Sequence, residues 1–157
     1  MKLWRITREP FLALDGAGPL RFGGRYSSAG RPVVNLASEA GLAVLIALRY
    51  ALADEASMDA DYLLGWTDID ARPERVPANL APAGKISHVD AWLDSRRSLL
   101  AAVSSAVLPE ADVVLLNPAH PDAAGVKPLT VRPFRFSECL HRPPMLDAYR
   151  GDARAGS

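Results

Sequence analysis

Gly23-Gly24-Arg25-Tyr26-Ser27-Ser28-Ala29-Gly30-Arg31-Pro32-Val33-Val34 gathers glycines, two guanidinium groups, an aromatic ring and two hydroxyls, and then turns into a β-branched run. Glycines let backbone amides approach a ligand closely, an arginine fork can hold a diphosphate through paired hydrogen bonds, and a tyrosine can stack on a heteroaromatic ring. Gly24, Arg25 and Tyr26 are therefore candidates for an anion-and-ring site. The same string also reads as a glycine-rich turn with an exposed arginine, and its residues alone leave both open.

The surrounding chain mixes short strands and helices. Upstream, Leu3-Trp4-Arg5-Ile6 alternates apolar and polar side chains and stops before Pro10, which predicts a strand carrying Arg5 on a polar face. Gly16 to Gly30 is expected as irregular backbone. Downstream, Pro32 to Ala37 predicts a strand, with Ser38 as N-cap and Glu39 in the first turn of a helix running to Leu52. Leu42, Leu45, Ile46 and Arg49 fall at helical spacing, and Ala and Leu fill most other positions, so this helix should be buried. Tyr62 to Ile69 predicts a strand, and the prolines at 73, 77 and 82 predict a loop or the start of a short helix. A short helix at Ala91 to Arg97, strands at Leu99 to Val107 and Val113 to Leu116, and a closing strand at Leu129 to Phe136 complete the pattern.

Composition narrows the classes of function. The chain has 157 residues, 49% of them hydrophobic, enough for one domain with a substantial core. Eighteen basic and eighteen acidic side chains cancel, so neither nucleic acid nor an anionic membrane is expected as the main partner. The N-terminus lacks the apolar core of a signal peptide and no apolar run approaches membrane-spanning length, which predicts a cytoplasmic protein. The single cysteine, Cys139, is expected as a small buried hydrophobe. His88, His120 and His141 lack the spacing of a metal site, so no metal is expected, and His120 should cap a loop. Ser104 or Ser105 as a nucleophile needs a positioned base, and no Gly-x-Ser-x-Gly elbow surrounds either.

The opening string resembles the GGRW-N-S-x-G-x-P-V-V segment of RES-domain proteins. Trp92-Leu93, Ser98-Leu99-Leu100, Val103, Ser105, Pro109-Glu110 and Leu116-Asn117-Pro118-Ala119-His120-Pro121-Asp122 resemble a second block of that family, and Pro133-Phe134-Arg135-Phe136 its closing strand. The likeness runs in order from Trp4 to about Leu140. It implies an α+β fold similar to the ADP-ribosyltransferase toxins, a split mixed β-sheet with surrounding helices and a central NAD cleft. It assigns residues 1–140 to one RES domain and leaves 141–157 as an exposed or partner-dependent tail. It also implies a toxin that consumes NAD, by ADP-ribosyl transfer to a protein acceptor or by release to water or phosphate. A cognate antitoxin with an Xre-type helix-turn-helix domain is the implied partner.

The family's arginine and serine fall on Arg25 and Ser105, but its glutamate falls on Ile46. Its strand tyrosine likewise falls on Asn35, and a histidine four residues after the glutamate falls on Tyr50. The implied catalytic set is thus Arg25, Tyr26 and Ser105, with Arg5, Gly24, Asn35 and Tyr50 completing the NAD-binding set. Glu39 lies two helical turns before Ile46, about 10 Å away along the axis. That is too far for a simple exchange of roles, and Glu110 is expected in a loop. A competing expectation is a module that binds NAD and antitoxin but has lost turnover with its carboxylate.

Overall fold

The computed structural model describes residues 1–52, 60–140 and 143–156. Strands β1 (Lys2–Arg8), β2 (Val34–Ala37), β3 (Tyr62–Asp68), β4 (Glu74–Arg75), β5 (Leu100–Ser104), β6 (Asp112–Leu116) and β7 (Thr130–Phe134) form a seven-stranded sheet. Its order is β4-β5-β6-β2-β1-β3-β7, antiparallel throughout except for the parallel β4–β5 edge. With helices α1 (Ala17–Phe22), α2 (Ala40–Leu52), α3 (Pro82–Ser95), α4 (Phe136–Cys139) and α5 (Leu146–Ala155), this is the mixed α+β architecture expected from the sequence. No helix among the described residues is long and apolar enough to cross a membrane.

Both faces of the central strands are covered, which explains why β5 and β6 read as continuous apolar runs. Ala101, Val103, Val113 and Leu115 pack on one face with Leu42 of α2 and Val89, Trp92 and Leu93 of α3. Leu100, Val114 and Leu116 pack on the other with Leu3, Val34, Leu36, Ile69 and Leu99.

The sheet is narrowest in its pairing between β1 and β2. β1 runs beside β3 through seven registered pairs and β2 beside β6 through four, yet β1 and β2 meet only at Trp4 and Ala37. Away from that pair the two halves diverge.

Several boundaries differ from the sequence expectation. The Gly16–Gly30 stretch is not wholly irregular, since Ala17–Phe22 closes into a short helix whose end Gly23 terminates at φ +73°. Helix α2 begins at Ala40, one residue past Glu39, whose carbonyl accepts the Ala43 N–H. Ser38 does not cap this helix, because its hydroxyl accepts the Asp112 N–H of β6. The turn at 82–95 is a long helix: Pro82 sits in its first turn, where a missing N–H costs nothing, and Val89, Trp92 and Leu93 are buried. β5 ends at Ser104, and the closing strand is a solvent-exposed edge that stops before Phe136 starts α4. Cys139, expected to be buried, is exposed at the C-terminal end of the four-residue helix α4. Of the expected tail, residues 141, 142 and 157 lie outside the described residues. Within the rest, Met145 and Tyr149 are exposed on or beside α5.

Gly16 fixes the entry to α1. It adopts φ +69°, and a Cβ there would stand 2.4 Å from the Val33 backbone nitrogen. Gly16→Ala is therefore expected to destabilise the protein by at least about 1–3 kcal/mol, read as a lowered denaturation midpoint, and an unchanged midpoint would contradict this packing.

Candidate active site

A cavity of about 450 Å3 opens where β1 and β2 diverge, between the loop after α1 and helix α2. Arg5, Gly24, Arg25, Tyr26, Asn35, Tyr50 and Ser105 all line it, so the seven residues singled out from the sequence converge on one place. Trp4, Arg5 and Ile6 come from β1, Asn35, Leu36 and Ala37 from β2, and Leu42, Ile46 and Arg49 from α2.

The loop bearing Arg25 and Tyr26 is tied at both ends. On the near side the Gly23 N–H donates to Pro19 O at 2.8 Å, the Gly24 N–H to Ser27 O at 2.9 Å, and the Gly30 N–H to Leu20 O at 2.8 Å. A Cβ on Gly23 would crowd the Ala29 nitrogen at 3.1 Å, so a glycine is needed for the loop to fold back on itself. On the far side Asp90 of α3 accepts the Ser28 N–H at 3.0 Å and the Ser28 hydroxyl at 2.6 Å. Arg31 reaches Asp94 of the same helix through two bonds of 2.9 Å. That hydrogen bonding raises the Arg31 pKa and lowers that of Asp94. Between these anchors Arg25 stays exposed, its guanidinium 5.7 Å from the centre of the half-buried Tyr26 ring.

Ser105 stands just past the end of β5 and is 6% exposed. Its Oγ accepts the Val107 and Leu108 N–H groups at 3.3 and 3.2 Å. With its lone pairs engaged in that turn, the hydroxyl is equipped to donate its hydrogen into the cavity. It is poorly placed to act as a nucleophile, since no base approaches it among the described residues.

The wall is rich in positive charge. Arg5, Arg25 and Arg49 all contribute, while no Asp or Glu is among the described lining residues. Burial pulls the Arg5 guanidinium below its ordinary pKa, an effect that Asp15 partly offsets. Ile46 puts a hydrocarbon wall into the cavity and packs against the core behind it. Glu39 does not line the cavity, and Glu110 is exposed in the turn between β5 and β6. His120 caps a 3-10 turn, its Nδ1 accepting the Asp122 N–H at 3.1 Å, as expected of a loop residue.

Arg49 and Tyr62 were not singled out from the sequence as site residues. Arg49 carried a usable signal, a lone cation three residues past Ile46 on a helix otherwise nearly all apolar. Tyr62 carried none, because its position beside the cavity depends on the pairing of β3 with β1.

A family model described as RES domain matches residues 2–137. The chain belongs to the RES family. It is 34% identical to the Prs ADP-ribosylating toxin of Sphingobium sp. (strain YBL2), over 88% of this chain and 96% of that one. It is 31% identical to Toxin Res of Photorhabdus laumondii, over 78% and 85% of the two chains. The crystal structure of the Mycobacterium tuberculosis MbcT–MbcA toxin–antitoxin complex contains a chain of the same fold, with a TM-score of 0.68 and 18% identity over 85% of this RES chain. Ile46, the position on which the sequence resemblance places the family's glutamate, lines the cavity.

Proposed function

We propose that this RES protein is the toxin of a toxin–antitoxin pair and cleaves NAD at the nicotinamide–ribose bond, passing ADP-ribose mainly to a protein acceptor. The observation that carries this proposal is the convergence of Arg5, Arg25, Tyr26, Asn35, Tyr50 and Ser105 on one cavity. Membership of a family containing a protein named as an ADP-ribosylating toxin supports it. The MbcT–MbcA complex supports an antitoxin as partner, here an Xre-type helix-turn-helix protein.

In this scheme the guanidinium of Arg25 holds the diphosphate, with Arg5 at the floor of the cleft and Arg49 adding positive charge. Tyr26 stacks on the nicotinamide end, and the Ser105 hydroxyl donates to a ribose or amide oxygen. Asn35 and Tyr50 bound the same end. The C–N bond breaks with its electron pair leaving on the nicotinamide nitrogen, so the ring departs neutral and needs no general acid. A nucleophile of the acceptor forms the new bond to the anomeric carbon and loses its proton to the acceptor's surroundings.

Positive charge builds at the anomeric carbon during cleavage, and a nearby carboxylate would stabilise it. The arginine-lined wall binds the phosphates but offers no such group among the described residues, while Ile46 supplies only apolar surface. Tight binding with slow hydrolysis follows, and an acceptor that brings its own nucleophile is favoured over water. NAD labelled in its adenylate half separates the outcomes. Label should appear in protein in excess of free ADP-ribose, whereas release of free ADP-ribose alone would show hydrolysis as the dominant path.

Asp90 is expected to support this chemistry without touching substrate. Asp90→Ala leaves the Ser28 amide and hydroxyl without their partner, costs about 1–3 kcal/mol locally, and should lower NAD turnover about tenfold or more by releasing the Arg25–Tyr26 loop. Steady-state kinetics beside a thermal melt check this, and unchanged turnover in a folded variant would contradict it.

A further inference from the structure

Phe22, Leu45, Tyr50 and Val107 line the cavity of the candidate active site, yet Phe22 keeps 77%, Tyr50 73% and Val107 50% of its surface exposed, and Leu45 is exposed as well. Side chains that both line a cavity and face solvent stand at its mouth. They come from the end of α1, from α2 and from the turn after β5, so the fold rather than one local stretch assembles this apolar rim. Apolar groups gathered in water around one opening cost free energy, and such grouping marks a surface that a partner covers.

The same rim carries positive charge. Arg21, Arg25 and Arg49 are exposed, and Arg25 and Arg49 line the cavity. The Arg21 guanidinium lies 5.0 Å from the centre of the Phe22 ring, which holds a cation against the rim's most exposed apolar side chain. Neither Arg21 nor Arg49 pairs with a carboxylate among the described residues. Over the whole sequence eighteen basic side chains meet eighteen acidic ones, so the cationic rim is a local arrangement and not the reflection of a basic protein.

Water needs none of this surface to reach the anomeric carbon, whereas a protein nucleophile arrives with its own chain around it. In the scheme above Ser105 and Tyr50 border the nicotinamide end, and Val107 lies two residues past Ser105, so the rim surrounds the end at which an acceptor enters. We propose that this rim is the docking surface for the protein acceptor, which places an apolar side chain among Phe22, Leu45, Tyr50 and Val107 and carboxylates against Arg21 and Arg49. This rests on the reading that ADP-ribose passes to protein, and it adds the chemistry of the acceptor: an acidic segment with an apolar anchor. A basic segment is repelled, so acceptors are selected by charge before their nucleophile is presented.

Adenylate-labelled NAD, supplied with the full chain and a bacterial lysate lacking the antitoxin, tests this when label in protein and nicotinamide release to water are measured separately. Phe22→Ser combined with Val107→Ser should lower protein labelling about tenfold. Arg21→Glu should lower it about threefold or more. Both variants should release nicotinamide at the parent rate when no protein acceptor is present, which also shows that they fold. A synthetic peptide alternating glutamate and leucine should suppress labelling by the parent, and one alternating lysine and leucine should not. Full labelling by both variants, or equal suppression by both peptides, overturns the proposal. So does an equal fall in labelling and nicotinamide release, which would make Phe22 and Val107 part of the NAD site. Labelling that persists in the variants while inhibition by the cognate antitoxin is lost overturns it too, and would make the rim the antitoxin's seat. Nicotinamide release by the parent with no label in any protein overturns instead the acceptor reading on which the rim rests.

Discussion

Replacing Ile46 by glutamate is expected to accelerate NAD hydrolysis about a hundredfold, the effect of about 3 kcal/mol of transition-state stabilisation. Ile46 lines the cavity and is half-buried, so a glutamate there adds a carboxylate to the cavity wall with little added volume. Burying a lone carboxylate is costly, but Arg5, Arg25 and Arg49 line the same wall and offset part of that cost. Some stability is still lost, because Ile46 packs against the core cluster beneath α2. Ile46→Gln separates charge from shape. The glutamine variant should stay as slow as the parent, and equal rates for the two variants would remove the carboxylate explanation for slow hydrolysis.

Arg25→Ala is expected to abolish toxicity and to lower NAD turnover by about ten- to a hundredfold, the worth of a charge-assisted contact to the diphosphate. Folding should be nearly untouched. Arg25 is exposed, with its guanidinium near the Tyr26 ring, so its loss changes stability by less than about 0.5 kcal/mol. Arg25→Lys should recover only part of the activity, because an ammonium cannot reproduce the paired geometry of the guanidinium. Measuring growth arrest and thermal midpoint together distinguishes loss of function from loss of fold, and full toxicity in Arg25→Ala would exclude this cavity as the active centre.

Much of the candidate site was legible because its residues sit in short strings with distinctive chemistry. Gly24, Arg25 and Tyr26 are consecutive, and Ser105 lies at a fixed distance ahead of the Asn117–Pro118 turn. The strands of the central sheet were equally plain from their apolar runs. The cleft itself could not be read, because it arises from β1 and β2 sharing one registered pair, a long-range feature with no local signature. Helix α1 was hidden by its flanking glycines, which suggested irregular backbone although Gly16 and Gly23 mark the two ends of a helix. Prolines concealed the start of α3 in the same way, since Pro82 punctuates a loop and begins a helix equally well. Arg49 was overlooked because the rest of α2 is so apolar that the helix read as core, whereas one edge of it borders the cavity.

Ile46 offers hydrocarbon where the family resemblance places a carboxylate, and nicotinamide release tests the proposed cleavage directly. Purified protein incubated with NAD, beside a RES relative that retains the glutamate, should release nicotinamide more slowly than the relative and in step with labelling of protein. Neither nicotinamide nor labelled protein, under conditions in which the relative is active, would contradict an NAD-cleaving enzyme and leave a protein that only binds.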